Sequence, residues 1–117
     1  MTQKVNASRT VYQGWSRFSQ VTVELAGGEQ LHREIEDHGE AASVLAYDGT
    51  RRTALLVSLP RAPVIMAGEP DILEVCAGQI DIGESPAEAA RREAAEELGV
   101  RLSELECVTA AWSLPSV

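Results

Sequence analysis

At 117 residues the chain has room for one domain and one modest core, burying roughly 60% or a little more of its unfolded surface. A net charge of -8, with no basic stripe, excludes a nucleic-acid backbone or an anionic membrane surface as the natural partner. Two cysteines without a short metal-binding spacing, no secretory pattern at the N-terminus and no membrane-length apolar run lead to the expectation of a reducing, cytoplasmic setting.

Residues 1–10 are polar and aperiodic and are expected as a loose arm. Beyond Val11, the alternation of Val21, Val23 and Leu25 with Thr22 and Glu24 marks a half-buried strand, and Gly27-Gly28 turns the chain into Leu31, Arg33 and Ile35. Residues 11–36 thus predict an N-terminal β-hairpin, which is marginal alone and must pack on its own domain or on a second subunit. Asp37-His38-Gly39 breaks the pattern. Residues 41–46 form a nearly continuous apolar run, expected as a strand buried on both faces. Asp48-Gly49 is the next turn, and residues 53–59 predict a strand ended by Pro60, which has no N–H to donate to a ladder.

Arg61 opens an irregular stretch through Val64, Met66, Gly68 and Pro70, where a substrate loop fits. Residues 72–77 predict a strand running into Gly78, and residues 105–112 a last one with Trp112 near its end. Cys76 and Cys107 each lie in an apolar run and are expected to pack as small hydrophobes. His32 and His38 flank a turn without matching ligands, which predicts exposed or locally bonded rings. Trp15 and Trp112 are expected as core or interface aromatics.

The segment 78–100 is the most strongly marked. Ser85 is a good N-cap, Pro86 occupies the first helical position, and Glu88 completes a capping box, so a helix begins at about Pro86. Gly99 supplies a left-handed stop after Leu98. At 100° per residue, Ala87, Ala90, Ala94 and Leu98 share a narrow stripe suited to close packing on a sheet, with Glu93, Glu96 and Glu97 on a face beside it. That placement opposes local helix physics: Glu93 and Glu97 are a like-charge i,i+4 pair, and all three sit toward the end that disfavours anions. A divalent cation would offset these costs, and carboxylates without His or thiolate partners suit Mg²⁺ or Mn²⁺. In isolation, Glu-x-x-Glu-Glu is more often a solvated acidic face, and only a longer pattern tips the balance.

Such a pattern is present. Gly78, Glu84, Arg92, Glu93, Glu96, Glu97 and Gly99 fit G-x5-E-x7-R-E-U-x-E-E-x-G-U, with Ala94 and Val100 at the apolar positions, and this resembles the signature of the Nudix hydrolases. Around it, Arg33-Glu34-Ile35, residues 41–47, Leu55-Leu56-Val57 and residues 73–78 resemble the branch that hydrolyses nucleoside diphosphate sugars, including ADP-ribose and GDP-mannose pyrophosphatases.

The resemblance implies an α+β fold, a Nudix-type α/β/α sandwich around a mixed sheet, with residues 11–117 as a partial domain and 78–100 as its loop–helix–loop. It implies Glu93 and Glu97 as principal ligands of catalytic Mg²⁺, Glu96 as a further ligand and the Ala77 carbonyl as a backbone ligand. Gly78, Glu84 and Arg92 are then supporting residues, Glu84 and Arg92 orienting the carboxylates. It also implies a nucleoside diphosphate sugar substrate and a homodimer formed through the N-terminal strands.

Two features depart from the branch. Leu59-Pro60-Arg61 stands where Gln-Phe-Arg is common, so only Arg61 carries over as a contact to the diphosphate or substrate. Branch members also continue past the equivalent of Trp112, and the expectation is a domain incomplete at the C-terminus, inactive or unstable by itself. Glu74, just before the metal loop, either points at the substrate site or faces solvent. Two other readings stay open, a nucleoside triphosphate pyrophosphohydrolase and a domain that binds a nucleotide without hydrolysing it.

Overall fold

The computed structural model describes residues 2–117, which group into two compact units, one of residues 2–39 with 108–117 and one of residues 40–107. In the first unit, β1 (Lys4–Gln13), β2 (Arg17–Glu24) and β3 (Gln30–Asp37) form an antiparallel sheet in that order. The expected loose arm is therefore a strand, and the expected hairpin is a three-stranded sheet. Aperiodicity misled because β1 is exposed along its whole length, with no buried face to write a hydrophobic alternation. Its order comes from its ladder to β2, which absorbs register shifts between Val5 and Ala7 and between Thr10 and Tyr12.

Polar cross-strand pairs tie this sheet together. Arg9 donates to Gln20 at 2.7 Å, Arg17 pairs with Asp37 at 2.9 Å, and the Thr22 hydroxyl and His32 Nδ1 bond at 3.0 Å. The β2–β3 turn closes through the Leu25 N–H donating to the Glu29 carbonyl, with Gly28 at φ +87°. His38 lies 3.2 Å from Glu36 and stacks on Trp15, so the histidines are locally bonded as expected. Trp15 and Trp112 are 76% and 87% exposed, which overturns the core half of the expectation of core or interface aromatics. Residues 105–112 form no strand, a further correction, since among the described residues no neighbour offers them a ladder.

The second unit holds three extended runs, each interrupted once. The first splits at Leu45 into β4 (Ala41–Val44) and β5 (Ala46–Asp48), the next at Leu56 into β6 (Thr53–Leu55) and β7 (Val57–Ser58), and the third at Val75 into β8 (Leu73–Glu74) and β9 (Cys76–Gln79). Every interruption is a change of partner: β4 pairs with β9, β5 with β6, and β7 with β8, all antiparallel. The runs thus pair two by two around a closed circuit. The first run is buried on one side only, at Ala42 and Ala46, which corrects the expectation of a strand buried on both faces.

Pro63 stands in the first turn of a short helix, α1 (Ala62–Met66), inside the stretch expected to be irregular. The principal helix, α2 (Pro86–Glu93), starts with the complete capping box between Ser85 and Glu88. It then widens into a π-helical turn over Ala94–Leu98, and Gly99 ends it at φ +66°. The core beneath α2 is made of small side chains. Ala42, Ala89 and Ala90 are buried together, with Val44, Ile80 and Leu105 packed against them, and Ala94 is also fully buried. Ala90 and Ala94 therefore face inward as expected, but Ala87 is exposed and Ala89 takes its place. Cys76 is fully buried, whereas Cys107 is exposed, which corrects its expected packing role.

Candidate active site

The strand β9 delivers Ala77 and Gly78 to the flank of α2, and the loop after it places Glu84 beside the same helix. Gly78 is there because Glu93 needs the space: a Cβ at position 78 would fall inside the Glu93 carboxylate. Glu93 thus lies against strand backbone, its side chain only 13% exposed. Antiparallel pairing of Ala42 with Gly78 and of Ser43 with Ala77 fixes the height of that backbone.

Arg92 is the hub of the site. Its Nε and Nη2 donate to Glu84 at 2.8 and 2.9 Å, Nη1 donates to Glu93 at 2.6 Å, and Nη2 also reaches the Gln79 carbonyl at 2.9 Å. Asp81 and Glu96 complete its acidic surroundings, each at 3.5 Å. The Arg92 guanidinium and the Asp81 N–H hold the Glu84 carboxyl down at about 2, and Glu84 and Glu93 raise the Arg92 pKa further. The like charges on α2 are therefore partly offset from within the chain.

Beyond Arg92, the π-helical turn sets the remaining carboxylates apart. Glu96 is exposed, with its side chain 60% accessible. Glu97 turns inward, and its Oε2 is buried without a hydrogen-bond partner. The Cys76 thiol lies beside it; burial first, then hydrogen bonding to Glu97, pushes that thiol up to about 11. Among the described residues, no three His, Cys, Asp or Glu side chains converge into one cation cage. The donor set nevertheless fits a hard cation. It offers carboxylates, one carboxylate oxygen is buried and orphaned, and the neighbouring thiol is held protonated.

Arg61 and Glu74 form a separate pair. The Arg61 Nε and Nη2 donate to the two Glu74 oxygens at 2.8 and 3.3 Å, with the side chains 43% and 28% exposed. Such a pair contributes at most about 1 kcal/mol to folding. The guanidinium pKa is raised first by Glu74 and in lesser part by the charge of Glu97, which ties it to the carboxylates of the helix. Glu74 does not simply face water. Sequence reasoning missed Asp81, the Gln79 carbonyl and the nearness of Cys76 to Glu97. None belongs to the fixed positions of the motif, and only an Asp three residues before Glu84 hinted at the first.

Residues 37–116 match the family model described as the NUDIX domain. The chain is 33% identical, over 92% of its length, to the GDP-mannose pyrophosphatase of Yersinia enterocolitica. It is 29% identical, over 96% of its length, to the ADP-ribose pyrophosphatase of Haemophilus influenzae. It spans 59% and 56% of those two proteins. The fold is similar to the crystal structure of an ADP compounds hydrolase, with a TM-score of 0.76 at 22% identity, over 99% of this chain and 61% of that one.

Proposed function

Since the chain belongs to the Nudix family, matched by its domain model over residues 37–116, we propose that the whole protein hydrolyses the diphosphate linkage of a nucleoside diphosphate sugar such as ADP-ribose or GDP-mannose. The observation that carries this reading is the intact carboxylate set Glu93, Glu96 and Glu97, with Glu93 seated on Gly78 and fixed by Arg92. The similarity to two pyrophosphatases of that substrate class supports the choice of substrate.

Glu93 and Glu97 would be the principal ligands of a divalent cation, Mg²⁺ or Mn²⁺, with Glu96 and the Ala77 carbonyl as further ligands. Held there, the ion would supply neutralisation of phosphoryl charge and activation of water. Arg92, anchored by Glu84, holds the Glu93 carboxylate in place and fixes which oxygen it presents. Arg61 binds the negatively charged diphosphate, with Glu74 beside it. Positioning and charge stabilisation carry most of such a reaction. The sheet β1–β2–β3 supplies a homodimer interface, and the protein works in the cytoplasm.

The test is product analysis with ADP-ribose, GDP-mannose and a nucleoside triphosphate, with Mg²⁺ and after chelation. Metal-dependent release of a nucleoside monophosphate from a sugar diphosphate is expected. Turnover confined to the triphosphate would sink the substrate assignment, and tight ADP-ribose binding without product would sink the catalytic one.

A further inference from the structure

Two arginines stand near the carboxylates of α2 and the π-helical turn, and their hydrogen bonding differs. Arg92 spends Nε, Nη1 and Nη2 on protein acceptors. Arg61 spends only Nε and Nη2, both on Glu74. A guanidinium has five N–H donors arranged as two forks, one along its side and one at its tip. Glu74 fills the side fork. Among the described residues, no acceptor is bonded to Nη1, so the tip remains available for two phosphoryl oxygens.

The other end of the Arg61 side chain is fixed as well. Pro60 precedes it, its backbone is extended at φ -113°, and its carbonyl accepts the Ile65 N–H at 2.9 Å as α1 begins. Glu74 is fixed by its ladder, opposite Val57 in the β7–β8 register. The pair thus spans from the start of α1 to the strand that leads into Gly78. An exposed pair of this kind adds little stability, so its main consequence is orientation.

We propose that Glu74 is a positioning residue: it clamps the side fork of Arg61 so that the tip of the guanidinium is presented to the substrate diphosphate, and it makes no substrate contact itself. This rests on the function proposed above. Pre-ordering a long, flexible side chain removes an entropy cost from binding, which appears in KM rather than in kcat.

Kinetics with ADP-ribose and GDP-mannose, together with calorimetric binding of ADP-ribose, test this in wild type, Glu74→Gln, Arg61→Ala and the double variant of the full protein. Losing a charge-assisted contact predicts a KM and Kd roughly tenfold higher for Arg61→Ala. A smaller rise is expected for Glu74→Gln, with kcat within about twofold of wild type in that variant. The double variant is no worse than Arg61→Ala. Glu74→Asp, which keeps the charge but shortens the reach, weakens binding as well, and circular dichroism reports the fold of each variant. Additive losses in the double variant, or a fall in kcat at constant KM, would overturn the positioning role while leaving the function intact. A wild-type protein that neither binds nor cleaves either substrate overturns the function and this role together.

Discussion

Gly78 is where a single missing methyl group decides the site. A side chain there meets the flexible end of Glu93 rather than backbone, so Gly78→Ala should fold with little change in Tm while Glu93 is displaced. Activity should fall roughly 10–100-fold, the range typical of lost support around a metal ligand; a parallel measurement of Tm and kcat/KM checks it. The cysteines give a second test. Cys76 at about 11 holds a hundredfold less thiolate near neutral pH than a thiol at the ordinary 9.0. Iodoacetamide at pH 8 should therefore label exposed Cys107 and spare Cys76, which peptide mass mapping reads directly. Most of this residue-level picture was legible. The motif fixes Gly78, Glu84, Arg92, Glu93, Glu96 and Glu97 by spacing alone, but it is silent on their pairing. That Arg92 bridges Glu84 and Glu93 depends on where the loop before Ser85 folds, and no spacing rule encodes that.

Among the elements, α2 was the most legible, because cap, first-turn proline and terminal glycine are local signals that tertiary context did not override. Ser85→Ala removes one half of the capping box and should cost about 1 kcal/mol, read as a lower urea midpoint. The π-helical turn was not legible. An inserted residue in the hydrogen-bond ladder leaves no trace in composition, yet it swings Glu97 inward and leaves Glu96 in solvent. The three runs of the second unit were found as strands, but their interruptions were missed, since Leu45, Leu56 and Val75 are good strand formers and only the change of partner breaks them. In the N-terminal sheet, the Gly39 N–H foremost, then Arg17, holds the Asp37 carboxyl below its ordinary 3.8. A depressed carboxyl stabilises the fold above its unfolded value and loses that contribution as pH falls through the folded one. Unfolding monitored from pH 5 downward should therefore show a loss of stability below about 4, and Asp37→Asn should reduce that loss, the more strongly depressed Glu84 retaining part of it.

For the whole molecule, exposed apolar side chains are the telling feature: Val5, Val11 and Tyr12 on β1 are 63%, 43% and 62% exposed. If the N-terminal sheet forms the dimer, light scattering should give twice the chain mass, and Val5→Glu with Val11→Glu should return it to that of a monomer. Sequence composition foretold a small core but not its makeup: the buried set is mostly alanine, with Cys76 the largest side chain fully enclosed.

The closed circuit of ladders has a kinetic consequence. Its links between β5 and β6 and between β7 and β8 join nearer parts of the chain, whereas β4 and β9 are the most widely separated partners. Loop-closure entropy makes that last link the costliest to close from an open chain. Because β9 also carries the backbone on which Glu93 rests, the ladder that sets the height of this seat is expected to form late, and a refolding probe on the β4–β9 pair should report a later step than one on β5–β6.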